Sequence, residues 1–311
     1  MKEGFKSNSR LERILKAGHF AVTGECGPPR GADPEAIRKK GELLKGCVDA
    51  VNVTDCQTAV VRMSSLSSCL ILKEMGFDPI LQMVTRDRNR IAIQSDILGA
   101  AALGINNILC LTGDHQKAGD HPQAKNVFDI DSIQMVAAVK AMRDEGKFMN
   151  GEELTVRPRL FIGAAENPFA DPFEIRHLRL AKKVKAGADF IQTQCIFNVK
   201  RFKEWMKRVV DMGLHEKVFI LAGITPLKSV GMARYMKNMV PGMDVPDEVI
   251  ERLKGVPKEK QGEEGVRIAI ETIQELKEVE GVHGVHIMAI EWEEKVREIV
   301  EGAGLFPRPE I

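Results

Sequence analysis

Acidic and amide side chains recur at one kind of place in this sequence, directly after a short apolar run. Ile108-Leu109-Cys110-Leu111 is followed by Thr112-Gly113-Asp114-His115. The same arrangement appears in Val22-Thr23-Gly24-Glu25, Val51-Asn52-Val53-Thr54-Asp55, Ile80-Leu81-Gln82-Met83-Val84 and Phe190-Ile191-Gln192-Thr193-Gln194. A polar group set just past the carboxyl end of a buried strand is where α/β enzymes put chemistry. The set so defined is Glu25, Thr54, Asp55, Gln82, Thr112, Gly113, Asp114, Glu166, Asn167, Gln194 and Glu291. It mixes carboxylates with neutral amides and hydroxyls, has no metal-ligand spacing and contains no activated serine or histidine triad. Such a set suits proton transfer beside a neutral, hydrogen-bonding ligand.

Each candidate also has a plainer reading. Glu25 has Gly24, Cys26 and Pro28 as neighbours, a poorly hydrated setting that would raise a carboxyl pKa as a general acid requires. It would equally serve as a carboxylate accepting local backbone amides at a turn. Asp114 either takes part in chemistry or caps the irregular loop after it. Lys183 reads as a cation on a solvated helix face. Gln194 is more telling, because an amide at the end of a buried strand is costly unless something pairs with it. His115 and His121 lie in a long loop where they could meet a ligand, while His283 and His286 flank an apolar strand and read as structural. Phe202 and Trp205 have the spacing of a helix's core face.

Eight apolar runs must position these groups. They are about 19–25, 50–54, 79–84, 108–111, 160–164, 189–193, 218–222 and 284–290, each separated by a helical pattern. Asp33-Pro34-Glu35 opens one helix with Asp33 as its N-cap, and Asp131 or Ser132 caps another. Further helices are expected at about 8–15, 67–75, 91–103, 226–236, 265–279 and 291–302, with an irregular segment over 240–265 that carries three prolines. Alternating α and β with near-continuous apolar strands argues for a covered parallel sheet. Eight repeats favour a closed (β/α)8 barrel, the TIM-barrel class, as a single domain over 1–311 with an extra N-terminal helix and an insertion before the eighth strand. No G-x-G-x-x-G follows the first strand, which disfavours a dinucleotide-binding doubly wound sheet.

Composition agrees. The 311 residues are 44% apolar and carry a net charge of +1, so no strong field points to nucleic acid or an anionic membrane. No aromatic-interleaved basic patch is present. The six cysteines include no C-x-x-C pair and read as buried free thiols, with no metal site. The first 18 residues, with Lys2, Glu3, Lys6, Arg10, Glu12, Arg13 and Lys16, contain no apolar stretch of the kind a signal peptide needs, so a cytoplasmic location is expected.

Beyond this reading, the chain resembles the flavin-dependent methylenetetrahydrofolate reductases. The resemblance spans about 20–307 and rests on six motifs in the family's order: Gly24-Glu25-Cys26-Gly27-Pro28-Pro29-Arg30, Asn52-Val53-Thr54-Asp55, Leu111-Thr112-Gly113-Asp114, Gly163-Ala164-Ala165-Glu166-Asn167-Pro168, the run from Lys183 to Gln194, and Ala222-Gly223-Ile224-Thr225-Pro226. It implies that Glu25 protonates the folate N10 and opens its five-membered ring, that Asp114 binds the pterin and steadies positive charge, and that Gln194 contacts folate. It further implies that Thr54, Gln82, Leu111, Thr112, Gly113, Asp114 and Lys183 line a flavin, FAD or FMN, with Lys183 at its pyrophosphate or ribityl chain. The family's usual Leu-Arg-Gly-Asp reads Leu-Thr-Gly-Asp here, and Glu166-Asn167-Pro168-Phe169-Ala170 replaces a segment with an aromatic and a histidine. Trp292 falls near where the family has an arginine at the folate tail. These departures resemble short forms from anaerobes that work with an electron-donating or accessory subunit, and NAD(P)H need not bind directly. The implied role is one-carbon metabolism feeding methionine synthesis, in an oligomer. A folate-binding methyltransferase barrel and a subunit active only with a partner are the alternatives.

Overall fold

The computed structural model describes residues 4–311; Lys2 and Glu3 of the N-terminal reading lie outside them. Eight strands close into a parallel barrel in sequence order, each hydrogen-bonded to the next, with the last returning to the first. The elements are α1 (Arg10–Lys16), β1 (Ala21–Cys26), α2 (Pro34–Leu44), β2 (Ala50–Val53), α3 (Ser65–Glu74), β3 (Pro79–Val84), α4 (Arg90–Ala102), β4 (Asn107–Leu111), α5 (Ser132–Lys140), β5 (Phe161–Glu166), α6 (Arg176–Ala186), β6 (Phe190–Cys195), α7 (Val199–Asp211), β7 (Phe219–Ile224), α8 (Val230–Met239), α9 (Asp247–Lys254), α10 (Gln261–Lys277), β8 (Val282–Ile287) and α11 (Val296–Gly302). This is the (β/α)8 barrel that the alternation of apolar runs implies. Among the described residues no helix is long and apolar enough to cross a membrane.

Local chemistry sets the helix starts. The side chain of Asp33 accepts from the Glu35 amide with Pro34 in the first turn, and Asn89 accepts from the amides of Ile91 and Ala92. Asp131 and Gln134 form a reciprocal capping box at α5. Gly187 ends α6 at φ +115°, a left-handed turn that a side chain would resist.

Because successive strand residues alternate sides, the barrel interior is built in layers. At the amino-terminal end Ala21, Ala50, Ile80, Leu109, Phe161, Phe190 and Leu221 pack together, and α1 closes the barrel from below with Leu11, Ile14 and Leu15. Phe161 and Phe190 stack at 5.2 Å. Room for these rings comes from Gly163, where an added Cβ would lie 2.3 Å from the Phe190 ring. The outward faces of the strands pack under the surrounding helices in the larger core, where Phe202 and Trp205 are fully buried.

Several helical expectations change. α10 begins at Gln261, four residues before its expected start, and α11 at Val296, five residues after its own. The helix expected over 226–236 begins instead at Val230, where the side chain of Ser229 accepts from the Met232 amide. The irregular segment over 240–265 contains α9, which buries Ile250 and Leu253 behind Pro246 at its N-cap. β5 and β6 also run two residues past their expected ends, to Glu166 and Cys195.

Candidate active site

Two hollows open side by side at the carboxyl ends of the strands. The first, about 380 Å³, is lined by Glu25, Gln82, Leu111, Glu166, Asn167, Gln194 and His286, among others. The second, about 270 Å³, is lined by Asp55, Cys56, Gln82, Arg86, Leu111, Thr112, Gly113 and Asp114. Gln82 and Leu111 are common to both, so they form the wall between them. A larger hollow of about 500 Å³ lies at the opposite end, lined by Arg10, Asp49, Asp78 and Arg308. There Arg308 and Arg10 neutralise Asp49, at 2.6 and 3.1 Å, an arrangement that ties the C-terminal segment to the barrel floor.

Glu25 stands at the end of β1 with its side chain only 10% exposed. His286 Nε2 lies 3.7 Å from Glu25 Oε2. The other ring nitrogen, Nδ1, is 3.0 Å from the Thr23 hydroxyl, which also accepts from Gln192 Nε2 at 3.2 Å. Gln192 and Asn52 exchange both amide hydrogen bonds, at 2.7 and 2.9 Å. A layer of buried polar groups from β1, β2, β6 and β8 thus crosses the barrel above its apolar floor and ends beneath Glu25. Each buried amide in it is partnered, as burial demands. His286 therefore has a place at the site that the sequence reading does not give it.

Asp114 does not face Glu25 across a single hollow. It is exposed, and its carboxylate accepts from the Thr58 amide at 3.1 Å while its carbonyl accepts from Arg86. The turn it holds is tightly wound, with Cys56, Thr58 and Ala59 all at positive φ. Arg86 is buried and clamps this region, reaching Asp87 and the carbonyls of Cys56 and Asp114. Asp55 is a clamp too, accepting from the Val84 amide and paired with Arg88 at 2.6 Å. Thr112 accepts from the Ser132 amide at the start of α5. Gly113 sits at φ +86° against Val84.

Lys183 corrects the expectation of a solvated face. It is buried, with its ammonium 2.6 Å from the Glu166 carboxylate and hydrogen-bonded to the Ala165 carbonyl. Its charge is already committed inside the protein. Thr54 is buried just past the end of β2, lines neither hollow, and its hydroxyl has no hydrogen-bond partner. Gln194 lines the first hollow, its Oε1 accepting from the Cys195 amide, 3.2 Å away. Glu291 lies on the rim, exposed, 3.0 Å from Lys40. His115 and His121 are exposed, the first accepting from the Lys117 amide and the second beside Asp120.

Burial pushes the thiols of Cys26 and Cys195 up to about 12, Lys40 partly offsetting it for the first and the Thr225 hydrogen bond for the second. Neither is a thiolate nucleophile at neutral pH. Among the described residues no group of three or more His, Cys, Asp or Glu could hold a metal ion. What the arrangement offers is a sheltered carboxyl, a half-buried amide and a neighbouring apolar wall, which suits proton transfer to a flat heterocycle.

Comparisons with known proteins bear on this site. A family model described as methylenetetrahydrofolate reductase matches residues 10–304. A Caenorhabditis elegans protein named "Probable methylenetetrahydrofolate reductase (NADPH)" is 21% identical over 96% of this chain and 44% of its own length. "Methylenetetrahydrofolate reductase 1" of Schizosaccharomyces pombe is 25% identical over 76% of this chain and 37% of its own length. The chain spans less than half the length of these curated relatives. Among solved structures, an uncharacterized protein from Clostridium thermocellum, described as binding two copies of 5-methyl-5,6,7,8-tetrahydrofolic acid, aligns with a TM-score of 0.64 at 15% identity, over 95% of this chain and 98% of that one. A 2,3-dimethylmalate lyase aligns at 0.50 and 11% identity, over 97% of this chain and 89% of that one. These last two likenesses speak for the fold.

Proposed function

Because the chain belongs to the methylenetetrahydrofolate reductase family, we propose that it reduces 5,10-methylenetetrahydrofolate to 5-methyltetrahydrofolate with a bound flavin, all 311 residues acting as one catalytic domain. The observation that carries this reading is the shared wall. Glu25 and Gln194 line one hollow, Asp114 and Thr112 the next, and Gln82 and Leu111 belong to both.

The residues present fit a flavin. Leu111 and Gln82 offer an apolar face beside an amide, and Thr112 and Asp114 put polar groups at the edge of the same hollow. Thr54, Gln82, Leu111, Thr112, Gly113 and Asp114 would hold the group, with Lys183 at the end of β5 beside the neighbouring hollow. When bound, the flavin supplies the hydride that the folate carbon accepts.

The chain's own work is proton transfer and placement. Glu25, nearly closed to water, gives its proton to the folate N10, so that the five-membered ring opens to a cationic iminium. Asp114, exposed at the second hollow, supplies the negative charge that favours this cation and binds the pterin's donors. Gln194 presents its amide to the same pterin. The low exposure of Glu25 keeps bulk water from competing for the proton.

The donor of electrons is, in this reading, a partner protein. Lys183 is held by Glu166, and Thr112 stands where a family arginine would, so two cationic flavin contacts are weak or missing in the isolated chain. That favours a subunit that retains its flavin, FAD before FMN, best within a complex, in the cytoplasm and serving methionine synthesis. The methyltransferase alternative has no observation in its favour. Loading the purified protein with FAD or FMN and adding methyltetrahydrofolate without oxygen tests the proposal. Bleaching of the flavin spectrum supports it, and a protein that binds neither flavin, alone or with its co-purifying partners, overturns it.

A further inference from the structure

We propose that Cys195 is a positioning residue for Gln194: its backbone amide and its thiol hold the Gln194 amide oxygen, so that this side chain meets a ligand only as a hydrogen-bond donor. The inference rests on the reading of Gln194 as a pterin contact, and it says which edge of the pterin Gln194 takes.

The main chain is fixed first. Gln192 stands opposite Leu221 but Cys195 opposite Gly223, so β6 carries one residue more than β7 over this interval. Such a bulge is rare between parallel strands and re-aims the side chains it carries. The Thr193 hydroxyl patches it, accepting from the Gly223 amide and donating to the Gln194 carbonyl, both at 2.9 Å. A Cβ on Gly223 would lie 2.4 Å from the Thr193 carbonyl oxygen, so the close approach of the two strands requires glycine there. What freedom Gln194 keeps is in its side chain, half-buried at the first hollow.

Cys195 removes that freedom. Its backbone N–H can only donate, so the Gln194 atom 3.2 Å away is the amide oxygen and not the nitrogen. The Cys195 sulfur lies 3.7 Å from the same oxygen and 2.9 Å from the Thr225 hydroxyl. Thr225 is buried, and among the described residues this sulfur is the partner its hydroxyl finds. Its O–H therefore donates to the sulfur, and the S–H donates to Gln194 Oε1; the reverse order would strand the threonine's proton. The thiol keeps its proton at neutral pH, because burial raises it to about 12 even though the Thr225 hydrogen bond lowers it. With Oε1 held twice, both protons of Gln194 Nε2 are left for a ligand in the hollow. Asp114, an acceptor, is assigned the pterin's donors, so Gln194 is left the acceptor on the ring, its 4-oxo group.

Two ligands that differ at this edge test the assignment. Methyltetrahydrofolate carries a 4-oxo acceptor, and its 4-amino analogue carries a donor in the same place. Each is titrated into flavin-loaded full chain by the flavin spectrum, alongside the melting temperature. Wild type is expected to prefer the 4-oxo ligand by about tenfold or more. Cys195→Ala lets the amide turn, so 4-oxo binding should weaken by about threefold to tenfold while 4-amino binding holds or improves. Cys195→Ser keeps a donor and should restore the preference. A merely structural role would weaken both ligands alike, so a Cys195→Ala variant with the wild-type preference overturns the inference, as does a wild type with no preference. Gln194→Ala run in parallel separates the two ideas. If it weakens methyltetrahydrofolate binding while Cys195→Ala keeps the preference, only the positioning role falls. If it leaves that binding unchanged, the reading of Gln194 as a pterin contact falls with it.

Discussion

The ammonium of Lys183 and the carboxylate of Glu166 meet at 2.6 Å in a place almost closed to water, with side chains 9% and 1% exposed. The pair joins α6 to the end of β5, where Glu166 lines the first hollow. Removing one partner of such a pair leaves a buried charge alone. Glu166→Gln keeps an acceptor but releases the lysine's charge. The expected outcome is a loss of about 1–3 kcal/mol in unfolding free energy together with flavin binding tightened by roughly fivefold or more. Denaturant titration and a flavin titration measure the two. Unchanged flavin affinity would mean that Lys183 does not reach the cofactor.

The amide pair of Asn52 and Gln192 spans the barrel from β2 to β6 and is buried at both ends. Replacing either residue by leucine strands its partner's amide, at a cost of about 1–3 kcal/mol. Replacing both should cost less than the sum of the single changes, since neither amide is left facing an apolar partner and only the Gln192 contact to Thr23 is still lost. Equilibrium unfolding of the two single variants and the double variant checks this. Strict additivity would show that the pair is not energetically coupled.

The N-terminal end carries a pH dependence of its own. Glu12 is fully buried; burial pushes its carboxyl up, but the backbone amides of Lys6 and Ser7, the Lys16 ammonium and the Asn8 amide together hold it at about 2, against an ordinary 4.5. The folded pKa is depressed, so its stabilisation is present above the ordinary value and is lost as pH falls from there toward 2. Melting temperature should drop across that window, by an amount equivalent to roughly 1–3 kcal/mol, and Glu12→Gln should flatten the dependence. A Glu12→Gln protein with the same acid profile would reassign the effect.

Much of the architecture was legible because barrel strands are buried on both faces and therefore read as continuous apolar runs. The late start of α8 was not, because Pro226 looks like a first-turn proline while the chain stays extended to Ser229, the real cap. α9 was hidden by prolines that look like breakers, although Pro246 followed by Asp247 and Glu248 is an acceptable helix start. At the site, strand-end positions such as Glu25, Gln82 and Gln194 follow from the period of the strands. Asn52 and Gln192 lie inside their strands, where an apolar pattern draws attention away from them, and His286, near the end of β8, reads as structural beside Val285 and Ile287. The signal that could have found them is the amide itself: a polar residue amid Ala50-Val51-Val53 or Phe190-Ile191 must have a partner across the barrel. The burial of Lys183 follows from its ion pair with Glu166, a long-range contact that helix periodicity does not encode.

Gly113 holds the strand-to-loop corner between Leu111 and Asp114. Its φ is +86°, and a Cβ there would come within 2.9 Å of Val84 Cβ. Gly113→Ala should therefore cost about 1–3 kcal/mol and displace Thr112 and Asp114 together. Weaker folate binding is expected to accompany the lost stability, measured by spectral titration with methyltetrahydrofolate. A variant that melts earlier yet binds folate normally would separate the corner from the site.

Glu25 is the residue on which the proposed chemistry turns, and its surroundings allow a clean substitution. Its side chain is 10% exposed and packed near His286 and Cys26, so Glu25→Gln preserves shape and hydrogen-bonding size while removing the transferable proton. Flavin retention and the flavin spectrum should be unchanged, because most of the flavin-lining residues belong to β3, β4 and the turn after β4, and Glu25 does not line the second hollow. The rate of folate reduction should fall by about 10²–10⁴-fold, the range in which a positioned general acid acts. Glu25→Asp keeps the proton but draws it back by one methylene, so it should sit between, about 10²-fold below wild type. Half-saturating folate should shift little in either, since binding falls to Asp114 and Gln194. Single-turnover reoxidation of reduced flavin separates these contributions. Equal rates for Glu25→Gln and wild type would remove Glu25 from the reaction, whereas a Glu25→Gln variant slower than Glu25→Asp ties the loss to the proton rather than to the packing.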